Sequence, residues 1–196
     1  MAHGAGAGIG HPFMTTIADE LAAEGIATLM YQFRYMERGS RRPDPPKIAQ
    51  AAVRAAASEA ARIAPELPLF AGGKSYGGRM TSQAQAGSPL RGVNGLVFVG
   101  FPLHPAGKPS DERAKHLFDV EIPMLFLQGT RDKLADMDLL QPVVERLGDR
   151  AKLSAIDDAD HSFHVPKRSG RSDADVLCEL AGRLARWIDA VTANHG

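Results

Sequence analysis

The 196-residue sequence predicts a doubly wound α/β domain, in which a mostly parallel sheet carries helices on both faces. Two observations support this prediction: short apolar runs alternate with longer segments of helical periodicity, and the runs themselves lack polar alternation. Apolar runs of this kind are typical of strands that are buried on both faces. The length predicts one domain that spans residues 1–196.

Five runs have the length and composition of strands, and they lie at Ile26–Phe33, Pro68–Gly72, Gly95–Phe101, Pro123–Gln128 and Lys152–Ile156. Four helices are predicted around them, at His11–Glu24, Pro46–Ala64, Asp136–Leu147 and Ser172–Thr192. A proline near the first turn and a glycine after the last mark the first helix. The last helix has an apolar stripe that predicts docking onto the sheet. The single cysteine, Cys178, is expected to pack within this apolar pattern.

Composition and charge narrow the classes of function. The 23 Lys and Arg residues equal the 23 Asp and Glu residues in number, which argues against nucleic acid as the main partner. A single cysteine excludes an intrachain disulfide and favours a reduced compartment. The sequence contains neither an apolar run of about 18 residues nor the pattern of a secretory signal. We therefore expect a cytoplasmic protein that does not contact a membrane.

The strongest functional signal is Gly73-Lys74-Ser75-Tyr76-Gly77, which satisfies the pattern G-x-S-x-G. It follows a predicted strand and precedes a predicted helix over Gly78–Ala86, and this context is typical of a nucleophile elbow. An elbow holds its serine in strained backbone geometry and needs small neighbours, which the glycines supply. A phosphate-binding loop is the alternative, but that motif needs a glycine where Pro68 stands. Ser75 is therefore the candidate nucleophile.

A serine in a nucleophile elbow needs a histidine as its base and an acid that orients the histidine. In the chain, the acid follows the serine and the histidine follows the acid. Asp132 lies in the loop after a buried strand, and His161 comes directly after the last strand. We therefore predict that Asp132 orients His161 and that His161 is the base. Asp136 and Asp138 are alternatives for the acid, although acidic residues are favourable in the first turn of a helix in any case. His164 is the alternative base.

The run His3-Gly4-Ala5-Gly6-Ala7-Gly8 resembles a His-Gly loop that supplies an oxyanion donor. Closely spaced glycines let the backbone approach a substrate carbonyl, and the predicted donors are the N–H groups of Ala5, Gly6 and Tyr76. A dinucleotide-binding loop is excluded because no glycine stands at the last position of G-x-G-x-x-G in either register.

No cofactor is predicted. The Asp and His residues between positions 157 and 164 do not have the spacing of a strong metal motif, and no second cluster accompanies them. Two of the remaining histidines, His116 and His195, are expected at the surface.

Together these motifs resemble one family, the small predicted α/β-hydrolases similar to dienelactone hydrolases, which include the testis-expressed hydrolase-like proteins. The resemblance runs in order through His3–Gly8, Phe33–Glu37, Gly72–Arg79, Phe101–Pro105, Gln128–Asp132 and Ala159–Phe163. It implies an α/β-hydrolase-type, mostly parallel sheet and a catalytic triad of Ser75, Asp132 and His161. It does not imply a substrate. Some family members resemble scaffolds of protein complexes, so membership does not by itself imply activity.

One part of the family pattern is absent from the sequence. The family has a strand that leads into the His-Gly loop, between the strands predicted at Ile26–Phe33 and Pro68–Gly72, but only Met1 and Ala2 precede His3 here. We therefore expect the N-terminal strand region to be missing. A natural chain that starts upstream of Met1 is the favoured explanation, and closure of the gap by another segment or subunit is the alternative.

The predicted function is hydrolysis of a small ester, thioester or amide through an acyl-enzyme, by a carboxylesterase or a dienelactone-hydrolase-like enzyme. The segment Phe101–Pro123 is too short for a large lid, which predicts an open site for a small-molecule acyl substrate. The alternative is a catalytically silent interaction module that keeps the hydrolase shell. The sequence leaves homo-oligomer formation open.

Overall fold

The computed structural model describes residues 1–193, so the surface position predicted for His195 lies outside the described residues. Its core is a parallel sheet with the strand order β1-β2-β3-β4. The strands are β1 (Leu69–Lys74), β2 (Val93–Val99), β3 (Met124–Gly129) and β4 (Ala151–Ile156). Because the four strands run in one direction, their carboxyl ends meet along one edge of the sheet, where the loops after β1, β3 and β4 come together.

Helices cover both faces of this sheet. They are α1 (Pro12–Ala23), α2 (Arg34–Glu37), α3 (Pro46–Ile63), α4 (Tyr76–Gly87), α5 (Met137–Leu147) and α6 (Asp173–Ala193). Helices α1 and α6 cover one face, and α3, α4 and α5 cover the other. In β3, Phe126 faces the α3–α5 side and its neighbour Leu127 faces the α1–α6 side. Burial on both faces explains the unbroken apolar runs and confirms the predicted fold class.

The ends of two helices follow from local sequence. Helix α1 starts after His11, whose Nδ1 accepts a hydrogen bond from the Phe13 amide at 3.2 Å. It ends at a left-handed turn through Gly25, which has φ +76°. Helix α5 starts after Asp136, whose carboxylate accepts from the Asp138 amide at 3.0 Å. Both bonds satisfy amides that have no acceptor within the helix.

The strand predicted at Ile26–Phe33 is wrong. In this segment only Tyr31 forms a β-bridge, to Ala2, and Ala2 also bridges to Gly73 of β1. A strand needs backbone partners along its length. Residues 26–29 instead line an apolar groove of about 590 Å³, whose other walls include β1. The composition of the segment suits a strand, but its pairing is limited to the chain start: Tyr31 bridges to Ala2, and the Leu29 carbonyl accepts from the Met1 amino group.

The prediction that Cys178 packs in the apolar pattern of α6 is also wrong, because its side chain is exposed. The buried stripe of α6 includes Val176, Leu180, Leu184, Trp187 and Val191. Cys178 lies two positions after Val176, which is roughly 200° around an α-helix. The stripe itself docks on the sheet as predicted.

The connection between β2 and β3 is a loop that contains one short 3₁₀ helix, Glu112–Asp119. Within residues 1–193, therefore, no additional lid domain covers the edge of the sheet. Among the helices described, none is both long and apolar enough to cross a lipid bilayer.

Candidate active site

The turn after β1 has the geometry of a nucleophile elbow. Ser75 has φ +51° and ψ −114°, a backbone conformation that residues other than glycine rarely adopt. The surrounding space is small: a Cβ atom at Gly73 would lie 2.4 Å from the Ala2 carbonyl oxygen, and one at Gly77 would lie 2.7 Å from it. Glycine at both positions lets Ala2 approach the turn. Helix α4 begins at Tyr76, directly after Ser75.

Ser75, His161 and Asp132 are joined by two hydrogen bonds. The Nε2 atom of His161 lies 2.8 Å from Ser75 Oγ, and Nδ1 lies 2.6 Å from Asp132 Oδ2. A carboxylate only accepts, so Nδ1–H donates to Asp132 and Nε2 is left to accept the Ser75 hydroxyl hydrogen. The Asp132 side chain is 0% exposed and that of His161 is 25% exposed. The structure thus brings together the three predicted residues, with the imidazole open to solvent on one side.

Gln128 holds the Asp132 carboxylate in place, and it is not among the residues predicted for the site. Its Nε2 donates to Asp132 Oδ2 at 2.5 Å, and its Oε1 accepts from the Phe101 amide at 2.8 Å. The Leu134 amide donates to the other Asp132 oxygen at 2.7 Å. Gln128 is completely buried within β3. A polar side chain in an apolar strand was the available signal, because such a group needs a buried partner.

The loop that carries His161 is stabilised from within. The Asp160 carboxylate accepts from the Ser162 amide at 2.7 Å and from the His164 amide at 3.0 Å. The Asp160 amide donates to the His164 carbonyl, and Phe163 has φ +66°. These contacts close a compact turn that presents the His161 imidazole towards Ser75.

The alternative acid and base residues are engaged elsewhere. Asp136 caps α5, and the Asp138 amide is the donor in that cap. The Nδ1 atom of His164 lies 2.9 Å from the Asp173 carboxylate at the surface. This hydrogen bond raises the pKa of His164 above its ordinary value. Within residues 1–193, none of these residues, Asp136, Asp138 or His164, forms a hydrogen bond with Ser75.

The His-Gly loop is anchored beside Ser75 by its histidine. His3 is completely buried; its Nδ1 donates to the Gly4 carbonyl at 2.8 Å, and its Nε2 accepts from the Phe33 amide at 3.1 Å. Burial lowers the pKa of His3, which favours the neutral ring that this pattern of bonds requires. A Cβ atom at Gly4 would lie 3.8 Å from Ser75 Cβ. The loop therefore packs directly against Ser75.

The three predicted oxyanion donors differ in their surroundings. The Gly6 amide donates to the Tyr35 hydroxyl at 3.1 Å and is already engaged. The Ala5 amide donates no hydrogen bond to another residue of the described chain. Tyr76 is the first residue of α4, where amides have no acceptor within the helix. The amides of Ala5 and Tyr76 are thus free to donate to an oxyanion, whereas the Gly6 amide holds the loop through its bond to Tyr35.

The site shows no arrangement suited to a metal. Over residues 1–193, no group of three or more His, Cys, Asp and Glu side chains is placed to hold a metal ion. The polar atoms of His161 and Asp132 instead bond to each other and to neighbours in the site. The arrangement is suited to proton transfer between a hydroxyl and an imidazole.

A family model described as an alpha/beta hydrolase domain matches residues 1–189. The chain belongs to the α/β-hydrolase family. The match spans all four strands and the three hydrogen-bonded residues of the site. It confirms the resemblance that the motifs indicated, at the level of the α/β-hydrolase superfamily.

Solved structures of other hydrolases share this fold. An alpha-beta serine hydrolase homologue from Coxiella burnetii has a TM-score of 0.72 at 18% identity, over 94% of this chain and 82% of that one. A serine hydrolase without a lid from Xanthomonas campestris has a TM-score of 0.71 at 24% identity, over 95% and 81%. The esterase domain of a Rhodothermus marinus protein has a TM-score of 0.66 at 17% identity, over 95% and 83%. At these identities the likeness concerns the fold.

Proposed function

We propose that this α/β-hydrolase is a serine hydrolase that cleaves a small ester, thioester or amide through an acyl-enzyme. The observation that carries the proposal is the continuous hydrogen-bonded chain from Asp132 through His161 to Ser75, with distances of 2.6 and 2.8 Å. These distances lie within the reach that a nucleophile and its base need. The solvated edge of His161 leaves room for a substrate and for water.

In the proposed mechanism, Ser75 Oγ attacks the substrate carbonyl carbon while His161 Nε2 takes the hydroxyl proton. Asp132 holds the imidazole in the correct tautomer and stabilises the imidazolium that forms. The amides of Ala5 and Tyr76 donate to the oxyanion, and one such donor contributes about 3 kcal/mol of transition-state stabilisation. The protonated His161 then gives its proton to the leaving group. Water attacks the acyl-enzyme with His161 again acting as the base.

The proposed substrates are small or exposed acyl groups. The loop between β2 and β3 is short, and within the described residues no separate domain encloses the serine. An open site of this kind suits an acyl group that does not need to be enclosed by a lid. Carboxylesterase activity and dienelactone-hydrolase-like activity are both consistent with this proposal, and a panel of esters and lactones would distinguish them.

The test is intact-mass analysis after treatment with a fluorophosphonate, which labels activated serines. Wild type is expected to gain one adduct, and Ser75→Ala and His161→Ala are expected to gain none. Ser162→Ala is the matched control, because Ser162 is exposed and follows His161 directly. This variant should keep the adduct. Hydrolysis of p-nitrophenyl acetate should fall by roughly 10³-fold or more in Ser75→Ala.

Two outcomes would contradict the proposal. An adduct that persists in Ser75→Ala would place the reactive group elsewhere in the protein. The absence of an adduct on folded wild type would favour a catalytically silent interaction module. Circular dichroism of each variant is the control for folding.

A further inference from the structure

Lys74, the residue before Ser75, makes a contact that the proposed mechanism does not use. Its side chain runs into the interior rather than into solvent and is 9% exposed. Its Nζ donates to the main-chain carbonyl of His161 at 2.5 Å, across 87 positions of the sequence. The ammonium lies over two aromatic rings, 5.6 Å from the centroid of Phe13 and 5.2 Å from that of Phe163. A single side chain thus joins the strand of the nucleophile to the loop of the histidine.

The surroundings of Lys74 are not those of a structural ion pair. Within residues 1–193, no carboxylate lies within 4.0 Å of its Nζ. Burial lowers the pKa of Lys74 to about 8, and the charges of Asp132 and Asp160 oppose this effect only in part. A buried ammonium without a directly paired carboxylate is unfavourable for stability. A methyl-terminated side chain of similar length would fill the same space without this penalty.

The bond from Lys74 to the His161 carbonyl holds the residue whose imidazole must lie within hydrogen-bond reach of Ser75. The internal bonds of the His161 loop set its shape, the Arg131 amide ties the loop to the end of β3 through the Ala159 carbonyl, and Lys74 ties it to β1. The Lys74 stem also packs beside the His-Gly loop, since a Cβ atom at Gly4 would lie 3.6 Å from Lys74 Cγ. Lys74 therefore touches both loops that flank Ser75. A misplacement of about 1 Å in such an arrangement can slow a reaction roughly 100-fold.

We propose that Lys74 is a positioning residue, which holds His161 in register with Ser75 through the main-chain carbonyl of the histidine. This inference rests on the proposed function, because it assigns a role in the same site. Lys74 itself does not contact the substrate. It acts through His161, so its removal should affect the rate of the chemical step and leave ground-state binding of the substrate unchanged.

The experiment compares Lys74→Met with wild type. Methionine keeps an unbranched stem beneath the two rings and removes both the N–H donors and the charge. We expect kcat for p-nitrophenyl acetate to fall roughly 10- to 100-fold with KM within about twofold of wild type, and the fluorophosphonate labelling rate to fall by the same factor as kcat. The Tm at pH 7 should stay equal to that of wild type or rise, because the unfavourable burial of an ammonium is removed.

Two further variants complete the design. Lys74→Arg keeps a charged donor and should recover most of kcat, since Phe13 is only half-buried and can move to admit the larger head group. Lys152→Met removes an exposed lysine of β4 and should match wild type in rate and Tm. If Lys74→Met failed to fold, the comparison of Lys74→Arg with Lys74→Gln would test the same need for a charged donor.

The outcomes separate this inference from the function on which it rests. A wild type without labelling would overturn the proposed function. Labelling of Lys74→Met at the wild-type rate would overturn only the positioning role. A loss of kcat that ran in parallel with a loss of Tm would assign Lys74 to general stability and also overturn the positioning role.

Discussion

The dependence of stability on pH should carry the signature of one buried histidine, His116. The sequence predicts His116 at the surface, but the structure half-buries it beside α4, with its Nε2 2.7 Å from Ser82 Oγ. Burial lowers the pKa of His116 from 6.5 to about 4, and the nearby Arg79 charge acts in the same direction. The Asp119 carboxylate opposes this shift more weakly. The folded protein therefore holds His116 uncharged well below neutral pH.

The sign and size of the effect follow from this shift. Between pH 6.5 and pH 4 the unfolded chain binds a proton at His116 more readily than the folded protein does, so the free energy of unfolding falls as the pH falls. The loss is about 2 kcal/mol at pH 5 and approaches about 3 kcal/mol below pH 4. Above pH 6.5 the residue is uncharged in both states, and its contribution no longer changes with pH.

The assay is urea unfolding of wild type and His116→Gln at pH 7 and pH 5, at constant ionic strength. Glutamine keeps a group that can bond to Ser82 but does not titrate. The signal is the fluorescence of Trp187, which is the only tryptophan of the chain and is buried against Phe70. From pH 7 to pH 5, wild type should lose about 2 kcal/mol more than the variant.

His164→Gln provides a control of opposite sign. The Asp173 hydrogen bond raises the pKa of the exposed His164, so its contribution is present at low pH and is lost as the pH rises through that value. Equal losses of stability in wild type and His116→Gln between pH 7 and pH 5 would refute the reasoning. The cause of acid unfolding would then lie in the carboxylates.

Two other predictions concern the frame of the site. Gln128→Met should lower the free energy of unfolding by about 1–3 kcal/mol, because it leaves the buried Phe101 amide without its acceptor. It should also slow hydrolysis, because it removes a hydrogen-bond donor to Asp132. Gly77→Ala should cost roughly 1–3 kcal/mol in urea unfolding, because its Cβ would lie 2.7 Å from the Ala2 backbone. Gly87→Ala, at a helical glycine with open space around it, should leave stability unchanged or slightly raised. A Gly77→Ala variant as stable as wild type, or a Gln128→Met variant with unchanged stability and rate, would contradict these expectations.

The strands show where prediction from sequence succeeds. The runs Pro123–Gln128 and Lys152–Ile156 lie within one residue of β3 and β4 at each end. Burial on both faces imposes an apolar composition on the strand itself, so the signal is contained in the strand residues. The run Ile26–Phe33 has a similar composition and is not a strand, because pairing also requires a partner that the run does not encode.

For the site as well, some residues could be predicted from the sequence and others could not. The elbow around Ser75 could be predicted because the glycines that it needs are its neighbours in sequence. Asp132 and His161 could be proposed because loops after parallel strands meet at one edge of the sheet. The contacts of Lys74 and Gln128 could not be predicted, because each depends on a partner that only the packed sheet brings near.

The sequence by itself determined the α/β fold class and the residues proposed for the chemistry, because periodicity and turn chemistry are properties of neighbouring residues. Only the tertiary structure decided that His161 rather than His164 faces Ser75, that His116 is half-buried, and that Lys74 reaches the His161 carbonyl. Distances between side chains far apart in sequence depend on the register of the strands and on what covers them. Burial likewise depends on all the elements that pack around a residue.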